Sequence, residues 1–173
     1  MEHILTNSYK DGMIHYLNSH PEDFDEAIQL AVTDKQPYSW RAAWLLWSCM
    51  EVNDVRIRVY VKNIIDAIPS AKDGQKRELL NVLLKMELSE DDEGRVFSMC
   101  VDIWEQIHKR PSVRWKAFHL IVRMMQKYPD LIHEIEFLTQ DQYIDSLSPG
   151  IKYSIKNVLK DIPQKIDSVC ISL

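Results

Sequence analysis

Apolar residues return every three or four positions along nearly the whole chain, the spacing of one buried helix face. Phe24, Ala27, Ile28, Ala31 and Val32 mark one such face. It follows Pro21, a residue suited to a first helical turn. Trp40 to Met50 predicts a second helix, Val55 to Ile68 a third that stops before Pro69, and Leu79 to Met86 a fourth. Ser89 is placed to cap a fifth, with Glu90, Asp91, Asp92 and Glu93 in its first turn, where carboxylates meet the positive helix end. Val96, Cys100, Trp104 and Ile107 continue that helix. Val113 to Met125 predicts a sixth, ended before Pro129. Leu131 to Leu138 and Tyr143 to Leu147 predict a seventh, broken near Thr139, and Ile151 to Ile162 an eighth. A short helix around Met13 to Leu17 precedes them. The connections are short, so successive helices should be antiparallel neighbours.

The pattern repeats. Pro37, Gly74, Pro111 and Pro149 or Gly150 each open an even-numbered helix, at nearly constant steps. Counted from those starts, Ala43, Leu80, Ala117 and Ile155 are equivalent. So are Leu46, Leu83, Leu120 and Val158, and then Trp47, Leu84, Ile121 and Leu159. A period of this size with two helices per unit is the mark of an α-solenoid. The units run roughly 21–51, 54–87, 90–127 and 131–162, in a chain read as a single domain over 1–173.

The segment RPSVRWKAFHLIV, residues 110–122, resembles the second helix of a HEAT repeat through Pro111, Val113, Arg114, Ala117 and Leu120. QPYSWRAAWLLW, residues 36–47, is similar through Pro37, Arg41, Ala43 and Leu46. The resemblance implies an all-α fold: an α-α superhelix of about four antiparallel helix pairs, its second helices lining the concave side. Two departures stand out. Gly74 takes the place of proline in the second unit, and the aspartate common between paired helices is not repeated.

Composition agrees. Only 4 glycines occur in 173 residues, too few for a sheet with many tight turns. The 3 cysteines are far apart and form no CxxC, which fits a reducing cytoplasm with Cys49 and Cys100 as small buried apolar groups. The first twenty residues do not read as a signal peptide, and no apolar run spans a membrane. The final Cys170-Ile171-Ser172-Leu173 departs from a prenylation box at Ser172 and reads as a tail.

Charge adds a candidate surface. The net charge is -5, unlike a strongly basic nucleic-acid binder. Yet the expected second helices hold 12 bases against 3 acids, leaving 9 bases and 23 acids elsewhere. A basic concave face would focus attraction for an acidic partner. The plainer alternative is that these bases balance acids on neighbouring helices. Comparison of equivalent positions selects the exposed ridge: Trp40, Arg77, Arg114 and Lys152, then Trp44, Phe118 and Lys156, with Arg41 beside them. Trp47 falls with the apolar seam. Aromatics beside arginine suit an extended peptide and also nucleic-acid bases.

No enzyme motif occurs. The six histidines lack zinc-helix spacing, and the acids at 90–93 lack the alternation and glycine of a calcium loop. His119 is expected to be a surface or half-buried helix residue. The reading is therefore non-enzymatic, with no cofactor, no metal and no membrane: a cytoplasmic scaffold for an acidic or extended protein segment. The alternative is nucleic-acid binding. Trp40, Arg41 and Trp44 resemble the face of HEAT-like alkylpurine DNA glycosylases, but no catalytic aspartate is expected on a second helix. Fumarase-type lyases are excluded by the missing glycine-rich loop and the short chain. Self-association on the concave face is a third alternative.

Overall fold

A computed structural model describes residues 1–160, and every regular element among them is helical. In chain order these are α1 (Glu2–Asn7), α2 (Lys10–Ser19), α3 (Phe24–Ala31), α4 (Tyr38–Cys49), α5 (Val55–Arg58), α6 (Val61–Ala67), α7 (Asp73–Leu84), α8 (Glu90–Glu105), α9 (Pro111–Lys127), α10 (Glu134–Leu138), α11 (Asp141–Ile144) and α12 (Pro149–Lys160). Short 3-10 turns occupy Pro21–Asp23 and Pro129–His133. The end of the eighth expected helix, at 161–162, and the tail at 170–173 lie outside the described residues.

Local chemistry explains the boundaries. Pro111 occupies the first turn of α9, where its missing N–H costs nothing. The Ser89 hydroxyl accepts from the Asp92 amide at 3.3 Å, capping α8. That helix ends at Glu105 rather than reaching Ile107, which is exposed. The expected helix over 55–68 is two pieces, α5 and α6, broken at Val59–Tyr60. Asp54 caps the first, accepting from the Arg56 amide at 3.0 Å. The break near Thr139 is where expected, and its hydroxyl donates back to the Ile135 carbonyl at 2.7 Å. Helix α7 starts at Asp73, one residue before Gly74, so an aspartate does enter the second-helix layer.

The chain divides into two compact units, Met1–Asp92 and Glu93 onward. In the first, α4 packs against α3 and α7 and also touches α1 and α2. Phe24, Ile28, Leu45, Leu46, Ile57 and Ile64 are among its fully buried side chains. Burial of each large apolar side chain is worth about 1.5–3 kcal/mol. Gln75, at 2% exposure, joins three segments. Its amide nitrogen donates to the Ala31 and Thr33 carbonyls at 2.8 Å, and its oxygen accepts from Gln36 at 2.8 Å.

In the second unit α9 packs against α12 and the 3-10 turn before α10. Trp104 and Phe118 form the aromatic centre, ring centroids 4.5 Å apart and both fully buried. So α4 lies beside α7 in one unit and α9 beside α12 in the other. This stacking of like helices on like is what a helical repeat needs to bury its apolar faces. None of the described helices is long and apolar enough to cross a membrane.

Glu93 closes one end of the second unit. Its carboxylate accepts from Lys127 at 2.7 and 2.9 Å and from the Tyr128 hydroxyl at 2.5 Å. Burial alone would raise its pKa, but the bonds from Lys127 and Tyr128 outweigh burial and hold it below the ordinary value. A lowered folded-state pKa contributes stability above the unfolded value, lost as pH falls through the folded one. Urea unfolding across the acid range should therefore show wild-type stability falling below about pH 4.5. Glu93→Gln should be less stable at neutral pH and should flatten that acid limb.

Candidate functional site

Each short helix leaves its last carbonyls without internal donors. The second helices supply them. Lys85 donates to the Trp47 and Met50 carbonyls, at 2.8 and 3.1 Å, at the end of α4. Lys76, 5% exposed, donates to Pro69 just past α6 at 3.2 Å. Arg114 does most. Its Nε donates to the Trp104 carbonyl at 2.8 Å, Nη2 to the Tyr143 carbonyl at 2.7 Å, and Nη1 to the Ser146 hydroxyl at 2.9 Å. Its guanidinium also lies over the Trp104 ring, 4.7 Å from the centroid.

This corrects the expected ridge. Arg114 and Phe118 are both at 0% exposure, so neither belongs to a binding surface. The exposed stripe of α9 is shifted by one residue: Trp115, Lys116, His119 and Arg123 are half-buried. Trp115 stacks on His119, centroids 5.4 Å apart, and the His119 Nδ1 is buried without a hydrogen-bond partner. Burial, helped by Lys116 and Arg123, lowers its pKa. On α12, Lys152 and Lys156 are half-exposed, and Lys152 pairs with Asp145 at 3.5 Å.

In the first unit, Trp40 is 37% exposed and Trp44 is half-buried. Trp40 explains the missing proline. A Cβ at Gly74 would stand 2.5 Å from the Trp40 Cδ1, so the indole lies directly on the glycine backbone. Trp47 is half-buried rather than core, and Leu84 and Leu159 share that state. Its indole donates to Glu78 at 2.6 Å. Glu78 is 2% exposed and also accepts from Arg77 and Asn81. Arg77 thus lies in the expected place with its charge spent on a buried carboxylate. Cys49 is half-buried, not buried, and burial raises its thiol pKa; Cys100 is fully buried.

Two cations on this unit differ. The Lys10 ammonium, from the start of α2, lies over the Trp44 ring, 5.3 Å from its centroid. Arg41 reaches the Ser8 carbonyl at only 3.4 Å, and its Nε is buried without a partner. Lys10 and Tyr9, 93% exposed, escape a search confined to second helices because they sit at the junction of α1 and α2. Trp115 escapes because the exposed positions of α9 fall one residue later than the compared ones. No cluster of metal-ligating side chains occurs among the described residues.

Comparison with known families decides what this architecture is. The model of the HEAT repeat domain matches residues 2–162. The chain belongs to the HEAT repeat domain family. No curated protein and no solved structure matches it. HEAT repeat domains commonly serve as scaffolds for protein interactions and are generally not enzymes. Arg114 fills the HEAT-type arginine position and bonds backbone carbonyls and a serine.

Two substitutions check these assignments. Arg114→Met keeps the aliphatic stem and leaves the Trp104 and Tyr143 carbonyls unpaired, so urea unfolding should show a loss of about 2–4 kcal/mol. Gly74→Ala should destabilise although alanine is the better helix former by about 1 kcal/mol. It should also shift tryptophan emission as Trp40 is displaced. Stabilisation without an emission change would mean the indole does not rest on Gly74.

Proposed function

We propose that this HEAT repeat chain is a non-enzymatic scaffold that holds an extended, acidic segment of a protein partner against the second-helix surface of its first unit. The observation that carries the reading is the exposure of Trp40 and the half-exposure of Trp44 on α4, one helical turn apart, beside basic side chains. Large rigid rings on a packed layer are the usual anchors of protein recognition. Arg114 and Phe118 take no part, and Arg77 contributes stem and shape more than charge. Lys152 and Lys156 add positive charge to the second-helix layer of the second unit. A reducing cytoplasm suits the free thiols of Cys49 and Cys100.

Panning a library of short random displayed peptides tests this reading. The wild-type chain should select a related set of sequences. Trp44→Ala, and Trp40→Ala separately, should weaken the selected peptides by about tenfold or more, since such anchors cost about 2 kcal/mol or more when truncated. Circular dichroism should show unchanged helicity. Single- and double-stranded DNA run alongside: binding that falls steeply with salt, with no peptide selected, replaces the protein reading with the nucleic-acid one. Light scattering that shows a dimer losing its contact in Trp44→Ala would replace it with self-association.

A further inference from the structure

The positive charge of the first unit is unevenly committed. Lys76 and Lys85 hold helix-end carbonyls, Arg77 holds Glu78, and Arg56 holds Asp54 at 2.6 Å while lying over Phe24. Lys35 meets Glu2 at 3.6 Å. Lys10 and Arg41, like the exposed Arg58, Lys62 and Lys72, hold no carboxylate among the described residues, but these two come together at α4. Both sit at one edge of α4, where the α1–α2 junction crosses it: Lys10 over Trp44, and Arg41, three residues before Trp44, reaching back to Ser8.

Their geometry matters as much as their charge. Contact with the Trp44 ring holds the Lys10 ammonium in place through attraction to the ring face, so its remaining N–H groups stay available without further ordering. Arg41 makes one long bond with a guanidinium that carries five donors, and leaves Nε unsatisfied inside the fold. An under-used arginine is costly on its own and gains most from a carboxylate, which it can grip through two parallel bonds. Tyr9, which separates Ser8 from Lys10 in the chain, is almost fully exposed, so its ring is open to a partner.

We infer that Lys10 and Arg41, with Trp44 and Tyr9, form the carboxylate-binding end of the partner surface, and that they take an Asp or Glu side chain flanked by an apolar residue in an extended peptide. This rests on the function proposed above and names the chemistry at one point of that surface. Charge complementarity selects the occupant. Two cations at one spot suit a local carboxylate, whereas a long polyanion would also meet the acidic excess of a chain with net charge -5.

Panning the same displayed peptide library on charge variants tests the assignment. Wild-type chain should enrich Asp and Glu next to an apolar residue. Lys10→Glu, at an exposed position, should abolish that acidic enrichment. Lys10→Met, which keeps the stem over Trp44, and Arg41→Gln should each weaken a selected acidic peptide by about tenfold, an effect that salt should mimic. Lys62→Gln, at an exposed position of α6, should leave that affinity within about twofold. If peptides bind through Trp44 without acidic enrichment, or if Lys10→Glu leaves the enrichment intact, the inference falls while the scaffold reading stands. If no peptide is selected, the scaffold reading falls and the inference with it. Matching circular dichroism for the Arg41 variant, backed by the surface Lys10 variants, keeps a folding defect from imitating the result.

Discussion

Helix ends are the constraint on which this structure depends. A chain cut into many short helices multiplies carbonyl groups that the helices cannot satisfy themselves, and burying them unpaired would cost about 1–3 kcal/mol each. Side chains from neighbouring elements meet the demand at one end after another. Gln75 serves the end of α3, Lys85 that of α4, Lys76 the turn after α6, Trp104 the end of α10, and Arg114 the ends of both α8 and α11. Most of these donors are cationic or strongly polar and sit on second helices. The positive charge also suits the negative end of each helix they touch.

That constraint recasts the basic layer. A surplus of lysine and arginine on one set of helices reads, in sequence, as a surface awaiting an anion. Part of it is directed into the fold, toward carbonyl oxygens that bear only partial charge, and part is balanced by carboxylates, as Lys127 is by Glu93 and Lys152 by Asp145. The balance by acids on neighbouring helices accounts for the paired part, but neither explanation anticipated the carbonyl contacts, because backbone carbonyls do not appear in a count of charged residues. Among the cations left over, Lys10 and Arg41 meet at the α4 edge.

The helical architecture was legible because periodicity, proline stops and the recurring starts at Pro37, Gly74, Pro111 and Pro149 all describe the same units. The family resemblance was legible in the Pro-Val-Arg-Ala-Leu pattern of α9, and the family model over residues 2–162 shows the membership. The surface was legible only in part. Equivalent positions in a repeat share a place along the helix but need not share exposure. In α9, Arg114 and Phe118 are buried while Trp115 and His119, one residue later, are half-buried. Trp47 was misplaced for a related reason: its indole N–H has a carboxylate to reach, and a half-buried position lets ring and donor both be satisfied. Lys10 and Tyr9 lay outside the compared helices altogether.

The carbonyl staples also separate two kinds of electrostatics within one molecule. A cation held against buried helix-end oxygens lies where mobile ions barely penetrate, whereas Lys10 stands in contact with bulk electrolyte. Ionic strength therefore acts as a selective solvent variable for this chain. It can strip the outward-facing charge of its reach while the helical framework beneath stays assembled, so the proposed docking of an acidic segment and the integrity of its support would respond to salt separately.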